Sequence, residues 1–262
     1  MSIIVRNNIK ILGEGKKTLM FAHGFGCSQT MWDRIVPDLE DDFRIVLFDL
    51  VGSGHSDAMA YDKEKYDRLS GYAEDVIEII ECLNFGKVIY VGHSVSAMIG
   101  VEAAVKRPDL FDKLIMVAPS PCYVNKGDYH GGFEKAGIDN ILQSVEHNYS
   151  AWATTMAQIL TGNHPEQGPL LAKSFCKTQL SIAKHFAKVT FTSDSREELK
   201  RLSIPSVILQ CTDDAIVPES VATYIHKHVI KSVLVKLKAT GHCPHLTHPQ
   251  EVLDVLFMLL KG

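Results

Sequence analysis

Residues 88–100, VIYVGHSVSAMIG, place a serine between two apolar segments. The β-branched residues before Gly92 favour a strand, and the residues from Val95 onwards favour a helix. A Gly-x-Ser-x-Gly pattern at a sharp strand-to-helix turn exposes the serine hydroxyl above the sheet as a nucleophile. Here Ser96 stands where the last glycine is expected, and serine is nearly small enough for such a turn. Ser94 is therefore a candidate nucleophile.

A serine hydroxyl is a weak nucleophile at neutral pH, so it needs a base and a carboxylate that orients the base. His242 follows the last strand-like segment, and Asp213 and Asp214 follow the strand-like segment SVILQ. Serine, then acid, then histidine is the chain order of triads that are built on parallel α/β sheets. We favour Asp214 as the orienting acid and interpret Asp213 as a turn residue. These residues predict hydrolysis through an acyl-enzyme.

The tetrahedral intermediate of such a reaction needs N–H donors for its oxyanion. One donor is expected from the backbone of Val95, directly after the nucleophile. The other is expected from the loop HGFG, which follows the strand-like segment TLMFA, and we assign it to the N–H of Phe25. We expect His23, in the same loop, to fix the loop rather than to act as a second base.

The segment GHCPHLTHP has histidines at a spacing that resembles a metal site, at positions His242, His245 and His248. Pro244 and Pro249 interrupt the helix that such a cluster needs, and no carboxylate beside it completes a site. We therefore predict no metal and no cofactor.

The segment LFDLVGSGHSD places Gly-x-Gly after a strand, as dinucleotide sites do. The third glycine of that pattern is missing, because Ser56 and Asp57 follow His55. No helix begins directly there, so we expect no bound nucleotide.

The composition is that of an ordinary globular chain: 262 residues, 46% hydrophobic, 22% charged and a formal charge of -4. It predicts no basic surface for nucleic acid. No signal-peptide core and no segment long enough to span a bilayer are evident, so a cytoplasmic location is expected. The six cysteines include no Cys-x-x-Cys pair, which argues against a disulfide framework. Cys27 and Cys243 are expected to be buried thiols.

Short apolar segments alternate with segments of helical periodicity along most of the chain, which predicts a mostly parallel sheet with helices on both faces. The opening IIVRNNIKILGEG predicts two short strands that pair as an antiparallel edge. Residues 121–195 contain no convincing strand and four helical segments, which we interpret as an inserted cap above the ligand-binding edge of the sheet. The predicted core domain, which carries the sheet, is then residues 1–120 and 196–262.

The segments HGFG, DLVGSGHSD, GHSVSAMIG, SPCYVN, YHGGFE and GHCPHLTHP together resemble the α/β-hydrolase family. Within it the chain is similar to the RsbQ-like group of bacterial stress-signalling hydrolases and the related plant karrikin and strigolactone receptors. The likeness extends nearly from end to end. It implies an α/β-hydrolase fold with a V-shaped four-helix cap over a deep apolar pocket. It also assigns the triad roles to Ser94, Asp214 and His242, and in that group the position of Ser96 is serine or glycine.

The resemblance further implies a pocket for a small apolar ligand, lined by Phe25, Tyr123, Phe133, Trp152, Met156, Phe191 and Ile216. We favour a serine hydrolase of a small apolar ester or lactone that serves RsbQ-like stress signalling. The alternatives are a ligand sensor whose output is a protein contact, with slow or incidental hydrolysis, and a cofactor-free perhydrolase or haloperoxidase. The partner that the resemblance implies is a PAS-domain phosphatase, and we expect a monomer. A serine at the nucleophile position excludes a dehalogenase that uses aspartate.

Overall fold

A seven-stranded sheet runs through the computed structural model, which describes residues 2–260. Its strands are β1 (Lys10–Leu12), β2 (Thr18–Ala22), β3 (Arg44–Leu47), β4 (Val88–His93), β5 (Phe111–Val117), β6 (Ser206–Thr212) and β7 (Ser232–Thr240). Their order across the sheet is β1-β3-β2-β4-β5-β6-β7. Within the described chain β1 is the single antiparallel strand, and the other neighbours pair in parallel.

The helices connect these strands and cover the sheet. They are α1 (Ile3–Arg6), α2 (Leu69–Leu83), α3 (Val95–Lys106), α4 (Lys135–His147), α5 (Tyr149–Thr161), α6 (Gly168–Phe175), α7 (Leu180–Thr192), α8 (Arg196–Arg201), α9 (Glu219–His228), α10 (Pro244–Thr247) and α11 (Pro249–Leu260). Between residues 2 and 260, no helix is both long and apolar enough to cross a membrane.

Each face of the sheet carries its own apolar core, because successive side chains of a strand point to opposite faces. In β2, Met20 and Ala22 belong to the core that α2, α3 and α9 cover, whereas Leu19 and Phe21 belong to the core that α11 covers. All five residues of β2 and all six of β4 are buried, as expected of central parallel strands. The predicted architecture, a mostly parallel sheet with helices on both faces, is confirmed.

The amino-terminal segment differs from the prediction of two paired strands. Its first apolar run, Ile3–Arg6, folds as α1, and only Lys10–Leu12 forms a strand, which pairs with β3. The reason is tertiary: the Arg6 guanidinium bonds Asp75 at 3.0 Å and Glu78 at 2.6 Å on α2. These contacts hold the first run against α2, so it is not available as a partner strand.

Helices α4 to α7 lie between β5 and α8, within residues 121–195, for which we keep the name cap. α4 packs against α5 and α7, and α5 packs against α6. The two chain connections between cap and sheet run side by side, since the N–H of Ser195 donates to the carbonyl of Pro121 at 2.8 Å and Cys122 pairs with Asp194 in an antiparallel bridge. The chain thus enters and leaves the cap at neighbouring positions.

Candidate active site

The turn between β4 and α3 holds Ser94 in a conformation that non-glycine residues rarely adopt, with φ 55° and ψ −122°. The N–H of Ser94 donates to the carbonyl of Val117 at 2.8 Å, which ties the turn to β5. Gly92 permits the close packing of the turn, because a Cβ there would lie 2.6 Å from the carbonyl oxygen of Ser96. The strained turn projects the hydroxyl of Ser94 away from the sheet.

Ser96 has a bonding role of its own at this turn. Its hydroxyl donates to the carbonyl of His23 at 2.5 Å, and its own carbonyl accepts a bond from the Tyr90 hydroxyl at 3.0 Å. The serine therefore links the turn to the loop HGFG, a bond that a glycine at this position cannot make.

His242 lies between Ser94 and Asp214. Its Nε2 is 2.8 Å from Ser94 Oγ, and its Nδ1 is 2.8 Å from Asp214 Oδ2. The other carboxylate oxygen of Asp214 accepts bonds from the N–H groups of Ile216 at 2.9 Å and Val217 at 3.1 Å. Because both carboxylate oxygens are bonded, the carboxylate is fixed in position and holds the imidazole with its Nδ1–H towards it.

Asp213 and Asp214 occupy different environments although they are neighbours. The side chain of Asp214 has no exposed surface, whereas Asp213 is exposed and has a left-handed backbone with φ 53°. The structure therefore brings Asp214, and not Asp213, to the histidine.

The backbone of His242 is held from two sides. Its N–H donates to the carbonyl of Leu160 at the end of α5 at 2.8 Å, and its carbonyl accepts a bond from His93 Nε2 at 2.8 Å. Because a carbonyl can only accept, His93 carries its proton on Nε2. Burial lowers the pKa of His93 well below its usual value, and His245 and His242 lower it further.

The two predicted oxyanion donors are located at the nucleophile turn and the loop HGFG. Among the described residues, the N–H groups of Phe25 and Val95 have no hydrogen-bond acceptor, and Val95 is the first residue of α3. Gly24 brings the loop close to the turn, since a Cβ there would lie 2.5 Å from His93 Nδ1. Two free N–H groups beside a serine hydroxyl suit a developing oxyanion.

His23 is buried under this loop and joins two backbone segments. Its Nδ1 lies 2.8 Å from the carbonyl of Gly24, and its Nε2 accepts a bond from the N–H of Leu50 at 3.1 Å. Burial lowers the pKa of His23 below its usual value. A neutral ring with both nitrogens bonded fixes the loop and is not positioned as a second base.

The three histidines of GHCPHLTHP have separate environments. His245 is fully buried and stacks on Trp32 at a centroid distance of 4.3 Å, and burial lowers its pKa to about 3. His248 instead contacts Thr247 at 2.9 Å and His164 at 3.3 Å. Nowhere in residues 2–260 do three His, Cys, Asp or Glu side chains form a group that could hold a metal ion.

The glycines of LFDLVGSGHSD surround a buried carboxylate. Asp49 accepts bonds from the N–H of Gln29 at 2.7 Å, the N–H of His55 at 2.9 Å and the side chain of Asn8 at 2.7 Å. A Cβ at Gly54 would lie 2.4 Å from this carboxylate. The tight turn thus serves a loop that is organised by Asp49.

A cavity between the cap and the strand ends contains Ser94 and His242. Of the seven predicted lining residues, six contact it: Phe25, Tyr123, Trp152, Met156, Phe191 and Ile216. The cavity is small, with a volume of about 30 Å³.

The prediction that Phe133 lines the cavity is wrong, because Phe133 is not among the residues that form its wall. Its N–H donates to the carbonyl of Tyr123 at 3.1 Å, and its carbonyl accepts a bond from the N–H of Asn125 at 2.8 Å. This pairing holds Phe133 half-buried in the loop before α4, outside the cavity wall.

Sequence reasoning did not assign six other residues to the cavity wall: Cys27, His93, Leu160, Phe175, Thr190 and Cys243. A signal existed for Leu160, because it lies four residues after Met156 and eight after Trp152, on one helical face. Cys27 and Cys243 are buried, as predicted, and burial raises the pKa of Cys27 to about 12.

Tyr123 is the phenol nearest the nucleophile. Its hydroxyl lies 3.5 Å from Ser94 Oγ, which is longer than an ordinary O–H···O hydrogen bond. Burial raises the pKa of Tyr123 to about 12. The phenol is therefore protonated at neutral pH and is available as a donor near the reacting atoms.

Comparisons with known proteins agree with this geometry. A family model described as "Alpha/beta hydrolase family" matches residues 19–255. The chain is 41% identical over 255 residues to Karrikin insensitive 2 receptor CA of Petunia hybrida, covering 95% of this chain and 94% of that protein. It is 37% identical over 260 residues to Strigolactone esterase RMS3 of Pisum sativum, covering 97% and 96%. The solved structure of a hydrolase from Oleispira antarctica superposes with a TM-score of 0.97 at 38% identity, covering 100% of this chain and 97% of that one.

Proposed function

Because this chain belongs to the α/β-hydrolase family, we propose that it hydrolyses a small, mostly apolar ester or lactone with Ser94 as the nucleophile. The observation that carries the proposal is the chain of hydrogen bonds from Asp214 through His242 to Ser94 Oγ at the wall of the cavity. Relatives that are named esterases support the same class of reaction.

In the proposed reaction, His242 Nε2 takes the proton of Ser94 as Oγ attacks the carbonyl carbon of the substrate. The N–H groups of Phe25 and Val95 bind the oxyanion of the tetrahedral intermediate. His242 then gives its proton to the leaving alcohol oxygen, which leaves Ser94 acylated. A water molecule that His242 deprotonates attacks the acyl carbon, and His242 returns this proton to Ser94 Oγ as the acid is released. Asp214 stays ionised and stabilises the imidazolium that forms in each step.

The proposed substrate is small and mostly apolar because of the surroundings of Ser94. The ring of Phe25 contacts the rings of Trp152, Phe175 and Phe191 at centroid distances between 5.9 and 6.1 Å. Ser94 and His242 are themselves buried. Such a wall excludes water and favours an apolar acyl or alcohol group.

A direct test compares Ser94→Ala with wild type on p-nitrophenyl butyrate. We expect the turnover number to fall by about 10⁴ to 10⁶, while circular dichroism shows the same fold. The matched control is Ser181→Ala, an exposed serine of α7, which should keep wild-type turnover. A Ser94→Ala variant that retains a tenth or more of the activity would reject the proposal.

A second candidate function is a ligand sensor in RsbQ-like stress signalling, with a PAS-domain phosphatase as partner and slow hydrolysis. Two observations favour it: the 41% identity to a karrikin receptor, and the bond between His242 N–H and the cap carbonyl of Leu160. Through that bond, a shift of the cap on ligand binding acts on the proposed base. Fast turnover of short esters, together with no binding of the immobilised protein to a PAS-domain phosphatase, would reject the sensor function.

A further inference from the structure

Thr190 is a polar residue in an otherwise largely apolar part of the cavity wall. It lies on α7 next to Phe191, is 1% exposed and lines the cavity that contains Ser94. Its Oγ1 has no hydrogen-bond partner within residues 2–260. A buried hydroxyl without a partner is unfavourable, so this position needs an explanation.

The other helical threonines of the cap show what a hydroxyl normally does there. Thr154, Thr155, Thr161 and Thr192 each donate to the carbonyl four residues earlier, at distances between 2.7 and 3.2 Å. Thr190 makes no such bond in the described chain. Its hydroxyl is therefore not committed to a bond within the described chain.

Valine has nearly the same shape as threonine but no hydroxyl. At a buried position where nothing bonds the hydroxyl, valine avoids the desolvation cost that threonine carries. An unpaired threonine in the cavity wall is therefore explained if its hydroxyl is bonded when substrate is present.

A second polar group of the same wall is also unpaired. Trp152 on α5 lines the cavity, and its indole N–H has no partner among the described residues. The indole nitrogen can only donate, and the hydroxyl of Thr190 can donate as well. Both groups thus suit an acceptor atom, such as an ether or carbonyl oxygen.

We propose that Thr190 is a specificity-determining residue that hydrogen-bonds a second oxygen of the substrate, separate from the scissile ester group. The inference deepens the proposed function and rests on it: the substrate class becomes esters or lactones that carry an additional acceptor oxygen. Thr190 itself takes no part in the bond-breaking steps at Ser94.

The test uses ester pairs that differ by one oxygen in place of a methylene group. The pairs are p-nitrophenyl butyrate with p-nitrophenyl methoxyacetate, and p-nitrophenyl pentanoate with p-nitrophenyl 3-methoxypropanoate. For each pair, kcat/KM of the oxygenated ester is divided by that of the hydrocarbon ester. Comparing this ratio between variants removes the intrinsic reactivity of each ester.

Thr190→Val should lower this ratio by about tenfold for at least one pair, because one hydrogen bond to the substrate is lost. Thr190→Ser keeps the hydroxyl and should keep the ratio. The control is Thr192→Val, since the hydroxyl of Thr192 already donates to the carbonyl of Lys188 at 2.7 Å, and it should leave the ratio unchanged.

Ratios that stay within about twofold of wild type for both pairs in Thr190→Val would overturn the inference. So would an equal loss in Thr190→Ser, because the side chain would then act through its shape. If wild type hydrolyses none of the four esters, the proposed function fails and the inference fails with it. Active wild type with unchanged ratios overturns the role of Thr190 alone.

Thermal unfolding without ligand gives a second, independent readout. Replacing an unpaired buried hydroxyl by a methyl group should raise the Tm of Thr190→Val by about 2–4 °C. Thr161→Val should lower the Tm, because the buried hydroxyl of Thr161 donates to the carbonyl of Ala157 at 3.0 Å. A lower Tm for Thr190→Val would show that the hydroxyl has a partner within the protein and would overturn the inference.

Discussion

The cavity has a cap wall, formed by residues within 121–195, and a core wall, formed by residues outside the cap such as Ser94 and His242. The triad on the core wall and two polar groups on the cap wall differ in how they are bonded. On the core side, both oxygens of Asp214, both ring nitrogens of His242 and the hydroxyl of Ser96 are bonded. On the cap side, Trp152 Nε1 and Thr190 Oγ1 lack partners within the described chain. The triad groups that must hold one geometry are bonded within the protein. Groups without a partner in the described chain lie on both walls, since His93 Nδ1 on the core side is also unpaired.

The two walls are nevertheless bonded to each other at the end of α5. Besides the bond from His242 N–H to Leu160, Gly241 and Gly162 approach closely, since a Cβ at Gly162 would lie 3.2 Å from the Cα of Gly241. Both glycines have positive φ, 80° and 57°. The contact between the end of α5 and the loop of the proposed base therefore depends on two residues without side chains.

The largest effect is expected from the core wall, in Asp214→Asn. It should lower the turnover of p-nitrophenyl butyrate by about 10⁴, because the amide favours the wrong tautomer of His242. The matched control is Asp213→Asn. Asparagine tolerates the left-handed backbone at that position, so its turnover should stay within about threefold of wild type. Equal losses in steady-state kinetics would contradict the different roles of the two aspartates.

The protein core behind the cavity should also be acid-sensitive, because His245 is buried there in its neutral form. The pKa of His245 is lowered to about 3 in the folded protein, while an unfolded histidine has a pKa of about 6.5. Below that value the unfolded chain binds more protons, so stability falls as the pH falls from about 6.5 towards 3. At pH 5 the loss from this one residue is about 2 kcal/mol.

His245→Phe removes this titration and should flatten the decline of the Tm between pH 7 and pH 5. The ring can still stack on Trp32, which His245 contacts at 4.3 Å. The control is His147→Phe at an exposed position of α4, which should decline like wild type. A decline in His245→Phe as steep as in wild type would show that this histidine is not held neutral by the fold.

The smallest effect is expected from the cap wall, in Met156→Ala. Removing this side chain from the cavity wall makes room for a longer acyl chain. The ratio of kcat/KM for p-nitrophenyl octanoate over the butyrate should rise by about tenfold, with turnover of the butyrate largely retained. The control is Met258→Ala, an exposed methionine of α11. An unchanged ratio would show that the Met156 side chain does not limit the length of the acyl chain.

The sequence allowed the core side of the site to be predicted because its parts follow strands. Ser94, Asp214 and His242 come after β4, β6 and β7, and the carboxyl ends of parallel strands lie at one edge of a sheet. Residue type and chain order were therefore enough to expect them together. The α/β fold class followed from the alternation of strand-like and helical segments along the chain. Asp213 and Asp214 have the same residue type, so residue type and chain order did not separate them; the family resemblance assigned the role to Asp214.

The cap side was harder to predict, because helical spacing shows which residues share a face but not which cavity the face lines. In the sequence, Thr190 is an ordinary helical residue. Only the structure shows that its hydroxyl does not donate to a backbone carbonyl as the other helical threonines of the cap do. Phe133 was wrongly assigned to the wall because its place depends on backbone pairing with Tyr123. The strand predicted at Ile3–Arg6 was wrong because distant contacts of Arg6 outweigh short-range preference.

The central claim, that Ser94 is the nucleophile, is tested most directly by a fluorophosphonate probe followed by peptide mass spectrometry. The serine oxygen displaces fluoride from phosphorus, and the peptide gains the mass of the phosphonyl group. We predict one adduct, on Ser94, in wild type and in Ser181→Ala, and none in Ser94→Ala. An adduct on another residue of wild type, or equal labelling of Ser94→Ala, would contradict the account.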